Sequence, residues 1–114
     1  MKEFMFLYFG GDPKWAEAPP EKLQANMAAW TEWFGTLSKK GQLVSGGSPL
    51  TYDGKRLTKD GVITDISASE LKELVTGYSI IQAESYEQAV EVAQGCPMFR
   101  LPGGRVEIRT IVKM

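Results

Sequence analysis

At 114 residues the chain has the length of one domain, 1–114, and a domain of that size buries roughly two-thirds of its unfolded surface without a metal or a disulfide. A net charge of −1 with no basic cluster, no apolar run of membrane-span length and a lone Cys96 set aside a nucleic-acid footprint, a membrane span and an internal disulfide. The expected setting is the reducing cytoplasm. There is no histidine, which removes Ser-His-Asp and Cys-His catalysis, imidazole metal sites and the usual proton shuttle near neutral pH.

The first run, Phe4-Met5-Phe6-Leu7-Tyr8-Phe9 closed by Gly10-Gly11, does not alternate. Successive side chains of a strand point to opposite faces, so Phe4, Phe6 and Tyr8 line one face and Met5, Leu7 and Phe9 the other. Both faces need cover, the behaviour of a central strand. After a loop at Gly10-Gly11-Asp12-Pro13, Pro19-Pro20-Glu21 opens a helix, since proline suits the first turn and a carboxylate the N-terminal dipole. Leu23, Met27, Trp30, Phe34 and Leu37 recur at spacings of three and four, one face of a long amphipathic helix that stops at Gly41. Trp33 sits on the shoulder of that stripe, where it widens the packed face; ligand stacking and subunit contact are the alternatives.

Gln42-Leu43-Val44-Ser45 reads as a second strand running into Gly46-Gly47, a bend or bulge where backbone passes close to something, or the edge of a pocket. Asp60-Gly61 between Lys55–Thr58 and Val62–Thr64 predicts a β-hairpin with a type I′ turn, which needs positive φ at both turn residues. Ser67 with Glu70 three residues on has the capping-box pattern, ahead of a short helix over Glu70–Val75. Tyr78–Ala83 is another strand apolar on both faces. Ser85 with Gln88 makes a second capping box, and Ala89, Val92, Ala93 and Cys96 mark the inner face of the helix that follows. In the last strand, Arg105–Val112, Val106, Ile108 and Thr110 face one way and Arg105, Glu107 and Arg109 the other. The fold class is α+β. Without the hairpin and the short helix the order is β-α-β-β-α-β, the ferredoxin-like arrangement. Its helices cover one sheet face, and a second subunit packed face to face is the expected cover for the other, making a homodimer.

Across the chain stand Trp30-x-x-Trp33-Phe34, Gly41-x-Leu43-Val44-x-Gly46-Gly47-x-Pro49-Leu50, Thr64-Asp65, Glu70-x-Lys72-Glu73, Gly77-Tyr78, Ala89 through Cys96-Pro97, and Val106-Glu107-Ile108-Arg109. In this ordered set the chain resembles the YCII-related family, in its branch named for an Asp-Gly-Pro-Phe motif. The resemblance implies a dimeric α+β barrel, no settled activity, and a regulatory association with extracytoplasmic-function sigma factors. Where the branch has Asp-Gly-Pro-Phe this chain has Asp65-Ile66-Ser67-Ala68, keeping only the Asp. Relatives outside the branch pair a His with an Asp in a cleft, and here no His exists.

Asp65 is the candidate catalytic residue, at the point where strand gives way to the next segment; a turn or capping carboxylate is the plainer reading and ranks ahead. Trp33, Gly46, Gly47, Tyr78, Glu107 and Arg109 are the candidate ligand-binding residues. No cofactor and no metal are expected: one Cys, no His and no carboxylate cluster offer no ligand set. The expected function is a dimeric domain that binds a small organic ligand or a regulatory partner in a cleft near Asp65, Trp33 and Gly46-Gly47. The alternative is an enzyme acting on a small acid, such as a cyclic one, with Asp65 as general base and Arg109 or Tyr78 steadying charge.

Overall fold

The computed structural model describes residues 1–66 and 72–114. The non-alternating first run is strand β1 (Lys2–Phe9), and it lies inside a four-stranded antiparallel sheet. After it come helix α1 (Pro20–Lys39), strands β2 (Leu43–Pro49), β3 (Gly54–Leu57), β4 (Ile63–Ile66) and β5 (Val75–Ala83), helix α2 (Tyr86–Gln94) and strand β6 (Arg105–Thr110). The sheet order is β2-β5-β1-β6, with β3 and β4 forming a separate two-stranded sheet. Both neighbours of β1 run antiparallel to it, so the ferredoxin-like α+β arrangement expected from the sequence is the one observed.

The register assigns the faces. Phe4 pairs with Ile81 and Thr110, and Phe6 with Ser79 and Ile108. These residues line the side that the helices cover, where Phe4, Phe6, Ile81 and Ser79 are fully buried. Met5 pairs with Ile80 and Arg109, and Leu7 with Tyr78 and Glu107; among the described residues no helix lies on this second side. Met5, Leu7, Tyr78 and Ile80 are half-buried there and Val44 is exposed.

The helices reach the sheet through aromatic rings. Trp33 is 8 % exposed and stacks on Phe6 at 6.3 Å, and Trp30 meets Tyr8 edge-on at 5.1 Å. Such pairs add about 0.5–1.5 kcal/mol each beyond the area they bury. Trp33 therefore sits at the centre of the packed face of α1, with Leu37, while Met27 of the predicted stripe is largely exposed. The stripe is rotated from the sequence reading because the broad indole, not the flexible Met27, fills the space over Phe6. On α2, Ser85 Oγ accepts from the Gln88 N–H at 3.2 Å and Gln88 Oε1 accepts from the Glu84 N–H at 2.7 Å. This is the reciprocal cap that the Ser-x-x-Gln spacing predicts, with the return bond landing one residue earlier.

The hairpin is present but its turn differs. Asp60 has negative φ and only Gly61, at +84°, enters the left-handed region. Gly61 N–H donates to Thr58 O at 3.0 Å and Thr58 N–H to Val62 O at 3.0 Å. That is a three-residue loop with a glycine bulge rather than the two-residue type I′ turn, because Asp60 instead uses its carboxylate to accept from the Thr58 hydroxyl and the Val62 N–H. Of the predicted helix Glu70–Val75, Glu70 and Leu71 lie outside the described residues, as does the capping box at Ser67, and Val75 already belongs to β5.

Gly47, at φ +67°, marks the irregularity in the pairing of β2 with β5. A Cβ there would lie 1.9 Å from the Tyr78 carbonyl oxygen, whereas at Gly61 it would meet nothing within 4 Å. Gly47→Ala is expected to cost about 3 kcal/mol or more, combining a left-handed backbone with a clash against backbone. Gly61→Ala should cost only about 1 kcal/mol. Urea denaturation of the two variants checks the difference.

Candidate functional site

The open face of the sheet gathers several of the predicted residues. Tyr78, Leu7 and Glu107 form one row across β5, β1 and β6, and Ile80, Met5 and Arg109 form the next. Gly47 lies against the Tyr78 backbone. Tyr78, Glu107, Arg109 and Gly47 are thus brought to one surface. Gly46 points the other way: a Cβ there would contact the Phe34 ring at 3.5 Å, on the helix side. Trp33 is on that side too, within the packed aromatic cluster.

Asp65 is on β4, away from all of these. Its carboxylate pairs with Lys55 across the hairpin and both side chains are largely exposed. Strand alternation puts Lys55, Leu57, Ile63 and Asp65 on one face of the hairpin and Gly54, Arg56, Thr64 and Ile66 on the other. The second of these faces turns toward a cleft of about 470 Å³. Leu50, Ile66, Leu74 and Val75 supply its apolar surface, and Thr51, Asp53, Arg56 and Glu73 its polar surface. Asp65 accordingly faces away from the cleft next to it. Val75 is opposite Phe9 in the register, so the cleft opens at the end of the uncovered sheet face.

Arg105 ties that end together. Its guanidinium lies over the Phe9 ring, 4.1 Å from the centroid, donates from Nη1 to Lys72 O at 2.7 Å and from Nε to Glu107 Oε2 at 3.1 Å. Phe9, which belongs to the open face by register, is buried under this cover. One cation thus fixes Glu107 and the chain entering β5, and the resulting cation–π contact is worth about 0.5–1 kcal/mol at a site this exposed. The sequence shows the Arg105–Glu107–Arg109 stripe; it does not show that Arg105 closes over Phe9. Around the cleft, Asp53 reads in sequence as a turn residue and Leu74 as part of a helix, because only the approach of the hairpin root to β5 puts them together.

Under the helices runs a buried polar chain. The Tyr8 hydroxyl donates to Ser79 Oγ at 2.8 Å, and the Ser79 hydroxyl donates to Gly46 O at 2.8 Å. Each hydroxyl is satisfied, as buried groups must be. Burial pushes the Tyr8 phenol well above its usual value, opposed by its bond to Ser79. Burial likewise pushes the Cys96 thiol up to about 11, the opposite of what a nucleophilic thiolate needs. Among the described residues no three His, Cys, Asp or Glu side chains gather into a metal site. No helix among them is long and apolar enough to cross a membrane.

These two raised values fix a pH dependence. A group held protonated in the fold contributes its full stability below its unfolded pKa and loses it as pH rises through the folded one. Stability should therefore fall as pH climbs from about 9 toward 11, with Cys96→Ala flattening part of that fall. Urea titrations at pH 8, 9.5 and 11 measure it, and native Cys96 should resist a thiol reagent at pH 8 that labels the unfolded chain at once.

No curated protein sequence matches the chain. The sequence model of the YCII-related domain matches residues 5–114, from the second residue of the aromatic run through β6 to the end, and over that span the chain belongs to the YCII-related domain family.

Proposed function

We propose that this YCII-related domain works as a homodimeric binding domain that takes a small organic molecule in the cleft at the root of the β3–β4 hairpin. The observation that carries this reading is the cleft itself. Its volume of about 470 Å³ falls within the range of about 300–1,000 Å³ usual for small-molecule sites, and apolar walls with a few charged groups are the usual lining. Arg56, Asp53 and Glu73 give that lining groups of both signs for orienting a polar substituent. The cleft is half open and lies at the end of the uncovered face, so a second copy seated on Met5, Leu7 and Ile80 would form its missing wall.

The position of Asp65 favours binding over catalysis. A general base must reach the proton it abstracts, and this carboxylate is engaged by Lys55 on the hairpin face turned from the cleft. Within the family, the ordered set from the aromatic first strand to Val106–Arg109 supports the branch named for Asp-Gly-Pro-Phe. Asp65 and Ile66 of the corresponding segment lie on β4, and Ser67 and Ala68 lie outside the described residues. A regulatory association with a sigma factor rests on that resemblance alone, and a cytoplasmic setting on the single cysteine.

The test is a thermal-shift screen of small organic acids, amines and sugars on the native chain and on Thr51→Trp, in which an exposed side chain is enlarged to fill the cleft. At least one compound should raise the native Tm, by about 4 °C per kcal/mol of binding, and leave Thr51→Trp unmoved. A shift retained in full by Thr51→Trp, or no shift from any compound, contradicts the assignment.

A further inference from the structure

The β3–β4 hairpin is an arm whose outer face has no counterpart among the described residues of its own chain. That face holds the Lys55–Asp65 pair at the root and, one step toward the tip, Leu57 opposite Ile63. Leu57 is 70 % exposed and Ile63 64 %. A lone two-stranded ribbon is marginal in water, yet this one ends in a turn bonded at Thr58, Asp60, Gly61 and Val62. The arm holds its shape while keeping an apolar pair in solvent.

Charge narrows the occupant. From Asp53 to Asp65 the acidic side chains are Asp53, Asp60 and Asp65 and the basic ones Lys55, Arg56 and Lys59, so the arm is neutral and matches neither a nucleic acid nor an acidic membrane surface. A near-neutral partner with apolar surface fits it, and the chain itself, with net charge −1 and an uncovered apolar sheet face, is such a partner.

Area points the same way. Strands about 4.8 Å apart and about 3.3 Å per residue give the four-stranded face a flat footprint of about 500 Å² per copy, hence about 1,000 Å² for two. Stable specific interfaces bury about 1,200–2,000 Å². The sheet face alone falls short of that. The outer face of the arm, roughly 13 Å long and two strands wide, adds about 130 Å² per copy and brings the pair to the lower bound. The chain also spans 43 × 42 × 18 Å with a radius of gyration of 15.4 Å, against roughly 13 Å for a compact domain of this length.

We infer that in the homodimer, on which this rests, each arm reaches over to the other copy and lays Leu57 and Ile63 on it. The arm is then an exchanged clasp and not a free loop.

The experiment measures the dimer Kd of the full chain by sedimentation over a dilution series, for the native protein and for Leu57→Ser with Ile63→Ser. Both side chains are exposed in the single copy, so the urea midpoint read at concentrations where both proteins are monomeric should stay unchanged. The expected result is a native dimer whose Kd weakens at least 100-fold in the double variant. A native dimer whose Kd moves less than threefold overturns the clasp and leaves the homodimer standing. A native chain that is monomeric at 100 µM overturns both. If the double variant loses its fold, Leu57→Cys labelled with an environment-sensitive dye decides, because Cys96 is buried and leaves position 57 as the labelled site. Emission that shifts to the blue as the dimer forms supports the clasp, and emission constant across that range overturns it.

Discussion

Strand β1 carries apolar side chains on both faces, and helices among the described residues cover one of them. The 18 Å dimension is the thickness of a sheet with one layer of helices, since each layer takes about 10 Å. Phe4, Phe6 and Tyr8 disappear beneath α1 and α2, while Met5 and Leu7 of the same strand stay half-buried on the other side. At about 25 cal/mol per Å² of apolar surface, leaving such a face in water forgoes several kcal/mol, a large share of the stability of an ordinary domain.

The two faces are also held in different ways. On the helix side, rings of Phe6, Trp33, Trp30 and Tyr8 interlock, and the Tyr8–Ser79–Gly46 chain links β1 and β5 to the bulged part of β2. Gly47, next along, lets β2 pass close to the Tyr78 carbonyl. On the open side Arg105 is a local tie, covering Phe9 and reaching Lys72 and Glu107. A rigid inner face thus presents a level outer one, with the cleft and the arm at its border. Binding surfaces are commonly arranged so, with variable loops set on a stiff scaffold.

Much of the fold is legible in the sequence because its signals are local. The period of α1, the Ser85–Gln88 cap, the Asp60-Gly61 turn and the two-sided pattern of β1 and β5 each declare themselves within a few residues. Where the reading slips, a distant partner decides. Trp33 moves from shoulder to centre because Phe6 lies opposite it, and β5 starts at Val75 because the strand is extended by pairing with Phe9. The candidate site is less legible for the same reason. Tyr78, Glu107 and Arg109 meet on one surface as alternation implies, but no periodicity shows that Asp65 faces away from the cleft or that Leu50, Arg56 and Leu74 surround it.

The proposed homodimer seats its second copy on the uncovered face of β1 and β5. Sedimentation velocity at micromolar concentration, run on the native chain beside Leu7→Lys, tests it most directly. Leu7 lies mid-face between Tyr78 and Glu107, where a lysine extends into water in the single copy but loses that water in the pair, beside a Glu107 already held by Arg105. The expected result is a native particle of twice the 12.6 kDa chain and a Leu7→Lys particle of 12.6 kDa with unchanged circular dichroism. A native particle of single-chain mass, or a folded Leu7→Lys protein that still sediments as a dimer, would contradict it.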